Sequence, residues 1–150
     1  MAHSFTHLVY HIVFATKRRQ PWLTQELRPK VWGFLGKIVK EERAVPLCIN
    51  GVEDHVHMLV RLRPDQNVSA LVRAVKANSS GWLHRRHVVC QEFAWQTGYA
   101  AFTVSRTQMK KVQQYIENQE EHHRRVPFDV EWKSYLRAHG LEPSEEETWE

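Results

Sequence analysis

The sequence has little cysteine, no long apolar run and no internal repeat, and each shortage excludes a class of protein. Its 150 residues include two cysteines, Cys48 and Cys90, which are too far apart for a local metal knuckle, so we expect reduced thiols in the cytosol. Apolar runs such as residues 8–15 and 58–62 are far too short to cross a bilayer. The first residues lack the basic start and apolar stretch of a secretory signal. The length predicts one compact domain without a membrane partner.

The charge of the chain is unevenly distributed along its length. Residues 126–150 contain two basic residues (lysine or arginine) and seven acidic residues. Residues 1–125 contain 19 basic and 10 acidic residues, and the formal net charge of the chain is +4. A basic body favours a polyanionic partner, because neutralising phosphates is the usual role of such a surplus. Mild basicity that serves solubility alone is the alternative, and charge by itself does not separate the two.

Hydrophobic patterning predicts four strands alternating with helices. We expect strands at residues 8–16, 44–51, 55–63 and 99–105, with Pro46 favouring an edge position for the second. We expect helices after a Thr24 cap, after an Asn67 cap, over residues 107–123, and briefly from Glu131 within residues 127–139. The order β-α-β-β-α-β-α predicts an α+β fold, a ferredoxin-like or RRM-like sandwich in which a four-stranded antiparallel sheet carries its helices on one face. The other face would be open, and a nucleic acid or a second subunit would cover it.

Two histidines on the third strand form the first candidate site. Side chains alternate across a strand, so His55 and His57 share one face, while Val56 and Met58 point to the opposite face and the core. Two imidazoles so placed can bind one metal ion but cannot complete its shell, so a third ligand must come from elsewhere. The pattern does not name the ion. Solvated histidines on a surface strand are the alternative.

A tyrosine on the third helix forms the second candidate site. Tyr115 and Gln119 are four residues apart and therefore share a helix face. A tyrosine hydroxyl can attack phosphorus when a metal polarises the phosphate, and an amide oxygen can bind that metal. Simple half-buried packing of Tyr115 is the alternative.

Six segments in order, spanning Phe5 to Gln119, form a pattern that covers most of the chain. They are residues 8–17, residues 54–60, Lys76 with Ser79 and Ser80, residues 95–99, residues 103–105 and residues 115–119. This pattern resembles the single-tyrosine HUH transposases of small bacterial insertion sequences, and equally their domesticated relatives associated with repetitive extragenic palindromes. The resemblance implies an HUH single-tyrosine transposase domain over residues 1–125. Residues 126–150 would be an acidic C-terminal extension, not an independent domain, similar to tails of the domesticated branch.

The resemblance also implies a chemistry. Tyr115 would attack a phosphate of single-stranded DNA beside a hairpin, leaving a 5′-phosphotyrosine bond and a free 3′-hydroxyl. His55, His57 and Gln119 would hold Mg²⁺ or Mn²⁺, with residues 120–123 as further potential ligands. A homodimer would share its active sites, so that the tyrosine of one chain serves the histidines of the other. The protein would act in the bacterial cytoplasm, at the nucleoid when bound to DNA.

Basic and aromatic residues are the expected DNA contacts. The predicted phosphate contacts are Lys17, Arg18, Arg19, Lys76, Arg85, Arg86, Lys110 and Lys111. Trp95 and Tyr99 could stack on unpaired bases or pack in the core. Two other functions remain open at this point. One is a domesticated, largely non-catalytic protein that binds hairpins at repetitive palindromes, and the other is a metal-dependent hydrolase in which water attacks.

Overall fold

One antiparallel sheet organises the molecule. The computed structural model describes residues 3–86 and 91–143. The strands are β1 (Val9–Ala15), β2 (Val45–Gly51), β3 (His55–Arg61) and β4 (Ala100–Thr103), and the α-helices of these residues are α1 (Arg28–Glu41), α2 (Val68–Arg86), α3 (Met109–Glu117), α4 (Gln119–His123) and α5 (Phe128–Ala138). The sheet order is β2-β3-β1-β4, and each neighbouring pair is antiparallel. The predicted fold class is confirmed.

The main core lies between the sheet and the pair α1 and α2. Alternate residues of β1 and β3, including Ile12, Phe14 and Met58, are buried on this face. From the helices, Leu35 and Val75 pack against them without solvent exposure. This is the face to which the sequence assigned Val56 and Met58, so the predicted orientation of β3 is confirmed.

The opposite face of the sheet is covered by α3 and α5 of the same chain. Ile116 of α3 packs on Val9 and Leu59, and Phe128 of α5 packs in a second cluster with Val13 of β1. The structure thus differs from the expectation of an open face. The reason is that α5 carries an apolar stripe on one side, which is buried only by folding back onto the sheet.

Helix boundaries differ from the expectations in three places. Thr24 does not cap α1 with its side chain, and the helix begins at Arg28 after a preceding turn. Residues 107–123 do not form one helix, because the backbone leaves helical geometry at Asn118 (φ −99°, ψ 22°). Helix α5 begins at Phe128 rather than Glu131, directly after the extended Pro127.

A side chain from β2 explains the break at Asn118. The amide of Asn50 donates to the carbonyl oxygens of Ile116 at 3.0 Å and Glu117 at 3.1 Å. Those carbonyls would otherwise accept the next backbone hydrogen bonds of a continuous helix. Asparagine is also a poor helix-interior residue, because its side chain competes for backbone partners. The chain therefore turns at Asn118 and resumes as α4.

Several predicted details are confirmed. The Asn67 side chain caps α2 by accepting a hydrogen bond from the backbone N–H of Ala70 at 2.8 Å. Pro46 lies on the edge strand β2, where the register shifts between Pro46 and Cys48. At the tight β2–β3 turn, a side chain on Gly51 would collide with the backbone of His55, so glycine is required there. In the described part of the chain, no helix is long and apolar enough to cross a membrane.

Candidate metal and tyrosine site

The two histidines of β3 are buried, which excludes the alternative of solvated surface histidines. His55 and His57 both have 0% exposure, and their ring centroids lie 5.2 Å apart. Strand β3 lies between β1 and β2, so its side chains are enclosed on both sides. Helices α3 and α5 close the face above them. The pair therefore lies in an enclosed site of its own chain.

A hydrogen bond to the Nδ1 atom orients each ring. Nδ1 of His55 lies 2.8 Å from Oδ1 of Asp54, and Nδ1 of His57 lies 2.8 Å from Nε2 of His11. Both Nε2 atoms therefore point into the site. Metal-ligating histidines are typically held in this way by a partner on the other ring nitrogen. His11 was not expected here, although its two-residue spacing from Val9 and Val13 places it on the same face.

Both imidazoles are neutral at neutral pH. Burial is the largest cause, and it lowers the pKa of His57 to about 4 and lowers that of His55 as well. The nearby carboxylates of Asp54 and Glu131 raise these pKa values but do not offset burial. A neutral imidazole can bind a metal ion without first releasing a proton. The electrostatics of the pair thus suit a metal ligand.

Glu131 of α5 enters the same site, which the sequence did not indicate. Its exposure is 4%, its Oε1 lies 3.0 Å from Nε2 of His57, and its Oε2 lies 2.7 Å from Nε2 of His122. Burial alone would raise the pKa of Glu131, but hydrogen bonds from His123 and His57 hold it well below its usual range. The carboxylate is therefore ionised. The only sequence signal was an acidic residue in the first turn of a short helix, which is common and unspecific.

These groups could hold a divalent metal ion. The ligand atoms of His55, His57, His123 and Glu131 all lie within 4.8 Å of one another. Oε1 of Gln119, which is also fully buried, lies 3.4 Å from Nε2 of His55. Neighbouring ligands on an ion with bonds of about 2.1 Å are separated by roughly 3 Å, so these spacings fit. Nε2 of His123 is itself 3.1 Å from Oε2 of Glu131.

Tyr115 lies against the histidine pair of its own chain. Its ring centroid is 5.7 Å from that of His57, and its hydroxyl donates a hydrogen bond to Oε2 of Glu131. Burial, followed by the Glu131 carboxylate, raises the pKa of Tyr115 above its usual value, so the hydroxyl is protonated in this state. The resemblance predicted a tyrosine serving the partner subunit. Within the chain, Tyr115 already lies beside His57, and the shared active sites of a dimer stay a prediction.

A cavity of about 520 Å³ opens beside the tyrosine. It lies between the β4 edge, α3 and the end of α5, and Tyr115, Lys111 and His11 line it together with the aromatic rings of Phe102 and Tyr135. Its volume is in the range of small-molecule sites. The cavity therefore offers a route by which a substrate can approach the Tyr115 side chain.

The predicted phosphate contacts fall into two groups. Exposed positions are held by Arg18, Arg85, Arg86, Lys110 and Lys111, and Lys17 is half-buried. Two others have structural partners: Nε of Arg19 lies 3.4 Å from Oδ2 of Asp54, and Nζ of Lys76 donates to the carbonyl oxygens of Gln96 and Gly98 at 2.8 and 2.6 Å. The ammonium group of Lys76 thus ties the segment before β4 to α2.

The structure places Trp95 and Tyr99, whose roles the sequence left open, in different environments. Trp95 is buried in the main core, and its Nε1 donates to Oγ of Ser79 at 2.9 Å, so it packs rather than stacks on a base. Tyr99 is 38% exposed, and Nζ of Lys76 lies 5.8 Å from the centre of its ring. Cys90 lies outside the described residues.

Comparison with known proteins gives one consistent family. The family model of IS200-like transposases matches residues 4–119. The transposase for insertion sequence element IS200 of Salmonella typhimurium is 32% identical over 125 residues, covering 79% of this chain and 81% of that protein.

Two solved structures have the same fold. A protein of Deinococcus radiodurans R1, assigned as a transposase, has a TM-score of 0.66 and 26% identity over 79% of this chain and 95% of its own. A REP-associated tyrosine transposase, solved bound to a REP hairpin, has a TM-score of 0.62 and 15% identity over 95% of this chain and 87% of its own. The family model covers well over half of the sequence and includes the histidine pair, Tyr115 and Gln119, so the chain belongs to the IS200-like transposase family.

Proposed function

We propose that this transposase cuts and rejoins single-stranded DNA beside a hairpin, with Tyr115 as nucleophile and a divalent metal held by His55, His57 and Gln119. The observation that carries the proposal is the meeting of a tyrosine hydroxyl and two neutral, inward-pointing imidazole nitrogens in one buried site. Each feature alone has an ordinary explanation, but together they supply a nucleophile and a metal site side by side.

The proposed reaction exchanges one phosphodiester bond for another. The Tyr115 oxygen forms a bond to phosphorus, the bond from phosphorus to the 3′ oxygen breaks, and the phenolic proton passes through solvent to that oxygen. The product is a 5′-phosphotyrosine link and a free 3′-hydroxyl, and reversal of the step rejoins the strand without ATP. A bound Mg²⁺ or Mn²⁺ would withdraw charge from the scissile phosphate as it is attacked.

Within the chain, each residue has a separate task. Asp54 and His11 hold the two imidazoles in place through their Nδ1 atoms. The Tyr115 hydroxyl must leave its hydrogen bond to Glu131 before it attacks, because a bonded, protonated phenol is a poor nucleophile. The cavity beside Tyr115 would accept the nucleotide next to the scissile phosphate. Lys111 lines this cavity and would lie near the DNA backbone.

Hairpin DNA is the proposed substrate. The solved relative that binds a REP hairpin supports this choice through its shared fold, and the basic residues of positions 1–125 supply charge for phosphate contacts. The homodimer implied by the resemblance is not needed to bring Tyr115 to the histidines. The oligomeric state remains a prediction that light scattering of the purified protein would measure.

A non-catalytic hairpin-binding protein is the second candidate, and one observation favours it. The Tyr115 hydroxyl is engaged by a buried, ionised carboxylate, which holds the nucleophile away from a substrate. A domesticated protein would tolerate such a contact. The complete set of Tyr115, His55, His57 and Gln119 weighs against it, because hairpin binding alone does not need these residues.

One experiment separates these candidates. The protein is incubated with Mg²⁺ or Mn²⁺ and end-labelled single-stranded hairpins from the flanks of its own gene, and the products are run on a denaturing gel. A covalent protein–DNA adduct that disappears with EDTA and in Tyr115→Phe supports the transesterase. Cleaved DNA without an adduct would point to attack by water, and tight binding without cleavage in either metal would point to the non-catalytic binder.

A further inference from the structure

Glu131 lies outside the segment matched by the family model, yet its carboxylate reaches the centre of the site. We propose that Glu131 is itself a ligand of the divalent metal, contributed by α5. This inference rests on the proposed metal site at His55 and His57 and adds to it an anionic ligand. It assigns a direct role in the site to the C-terminal segment, which the family pattern leaves unassigned.

The distances place one oxygen of Glu131 where a ligand is needed. Its Oε1 lies 3.0 Å from Nε2 of His57 and 3.7 Å from Nε2 of His55, which are the separations expected of three ligands around one ion. Oε2 points the other way, to Tyr115 and His122. One carboxylate thus contacts the metal-binding nitrogens and the nucleophile at once.

The charge of Glu131 gives an independent reason. A buried carboxylate is costly unless a positive charge or a metal ion compensates it. In residues 3–86 and 91–143, no lysine or arginine lies within ion-pair distance of Glu131, and its partners there are the imidazoles and the Tyr115 hydroxyl. A divalent cation at the histidines supplies the missing positive charge. Glu131 also adds a carboxylate to a ligand set that otherwise consists of two histidines and a neutral amide. Carboxylate oxygens are ligands that Mg²⁺ and Mn²⁺ prefer.

The position of Glu131 is fixed by packing of the first turn of α5. Phe128, three residues earlier, is 2% exposed and stacks on the ring of His55, with centroids 3.8 Å apart and planes inclined by 12°. The guanidinium carbon of Arg19, which follows β1, lies 5.3 Å from the centre of the Phe128 ring. Because Phe128 packs on the proposed metal ligand His55, the first turn of α5 keeps Glu131 at a fixed position relative to that histidine.

The test measures metal binding by the full-length protein without DNA. Mn²⁺ is titrated into wild type, Glu131→Gln, Asp129→Asn and His57→Ala, and free Mn²⁺ is read by electron paramagnetic resonance. Glutamine keeps the size of the side chain but removes its charge, so we expect Mn²⁺ affinity to fall by about tenfold or more. Asp129 is exposed on the same helical turn, and its asparagine variant should bind within about twofold of wild type.

The outcomes separate this inference from the proposed function. Unchanged or tighter Mn²⁺ binding by Glu131→Gln would overturn the assignment, because the carboxylate would then only fill the site when no metal is present. If His57→Ala also binds Mn²⁺ as wild type does, the proposed metal site itself fails. Anomalous diffraction at the manganese edge gives a second measurement. We expect a peak beside Oε1 of Glu131, and a peak at the histidines with Glu131 turned away would contradict the inference.

Discussion

The ring of Tyr115 lies 5.7 Å from the ring of His57 in the same chain, and the two planes are inclined by 78°. Helix α3 is brought there by the short connection from β4 and is held at its end by Asn50 of β2, which binds the carbonyls of Ile116 and Glu117. The proposed nucleophile and the proposed metal ligands therefore lie side by side within one chain.

This arrangement predicts the outcome of a mixing experiment. Tyr115→Phe and His57→Ala proteins are each expected to form no DNA adduct, and their mixture should form none either, because neither chain holds a complete site. The adduct is measured on a denaturing gel after the two proteins have been refolded together. A mixture of wild type and Tyr115→Phe serves as the control and should keep the activity of its wild-type fraction. Adduct in the mixture of inactive variants would show that subunits exchange their tyrosines.

Removing the Tyr115 hydroxyl should abolish the chemistry and spare binding. Phenylalanine keeps the ring that packs near His11 and His57, so hairpin affinity measured by fluorescence anisotropy should stay within about twofold of wild type. The covalent adduct should be undetectable. Tyr10→Phe, on the other face of the sheet, is the matched control and should form the adduct normally. An adduct in Tyr115→Phe would show that another residue is the nucleophile.

Helix α5 should contribute strongly to stability through Phe128. This ring is 2% exposed and packs on His55 and the second apolar cluster, so Phe128→Ala is expected to lower the free energy of unfolding by about 3 kcal/mol. Val130, two residues away, is 52% exposed, and its alanine variant should change stability by less than about 0.5 kcal/mol. Urea denaturation followed by circular dichroism measures both. Equal stability of the two variants would mean that α5 does not hold the sheet face in solution.

Lys76 and Lys111, both predicted phosphate contacts, should behave differently. Lys111 is exposed at the cavity, so Lys111→Ala should reduce the slope of log affinity against log salt by about one. Lys76 holds two backbone carbonyls, so Lys76→Met should leave that slope unchanged and lower stability by roughly 1–3 kcal/mol. Hairpin titrations at several salt concentrations and urea denaturation measure the two effects. A reduced slope for Lys76→Met would show that Lys76 does contact a DNA phosphate.

The sequence by itself determined the features that depend on local periodicity. Strand alternation was enough to place His55 and His57 on one face, and helical spacing was enough to pair Tyr115 with Gln119. The order of strands and helices then led to the correct sheet, because few topologies accommodate it. These properties arise between neighbours in the chain, where the backbone geometry is regular.

Only the tertiary structure decided what surrounds those residues. The helix break at Asn118 depends on Asn50, His11 reaches His57 from another strand, and Glu131 enters the site from a segment that the charge pattern presented as an acidic tail. Each of these contacts joins residues more than forty positions apart. Periodicity carries no information about such pairs, because their approach depends on how the whole chain packs its apolar surfaces.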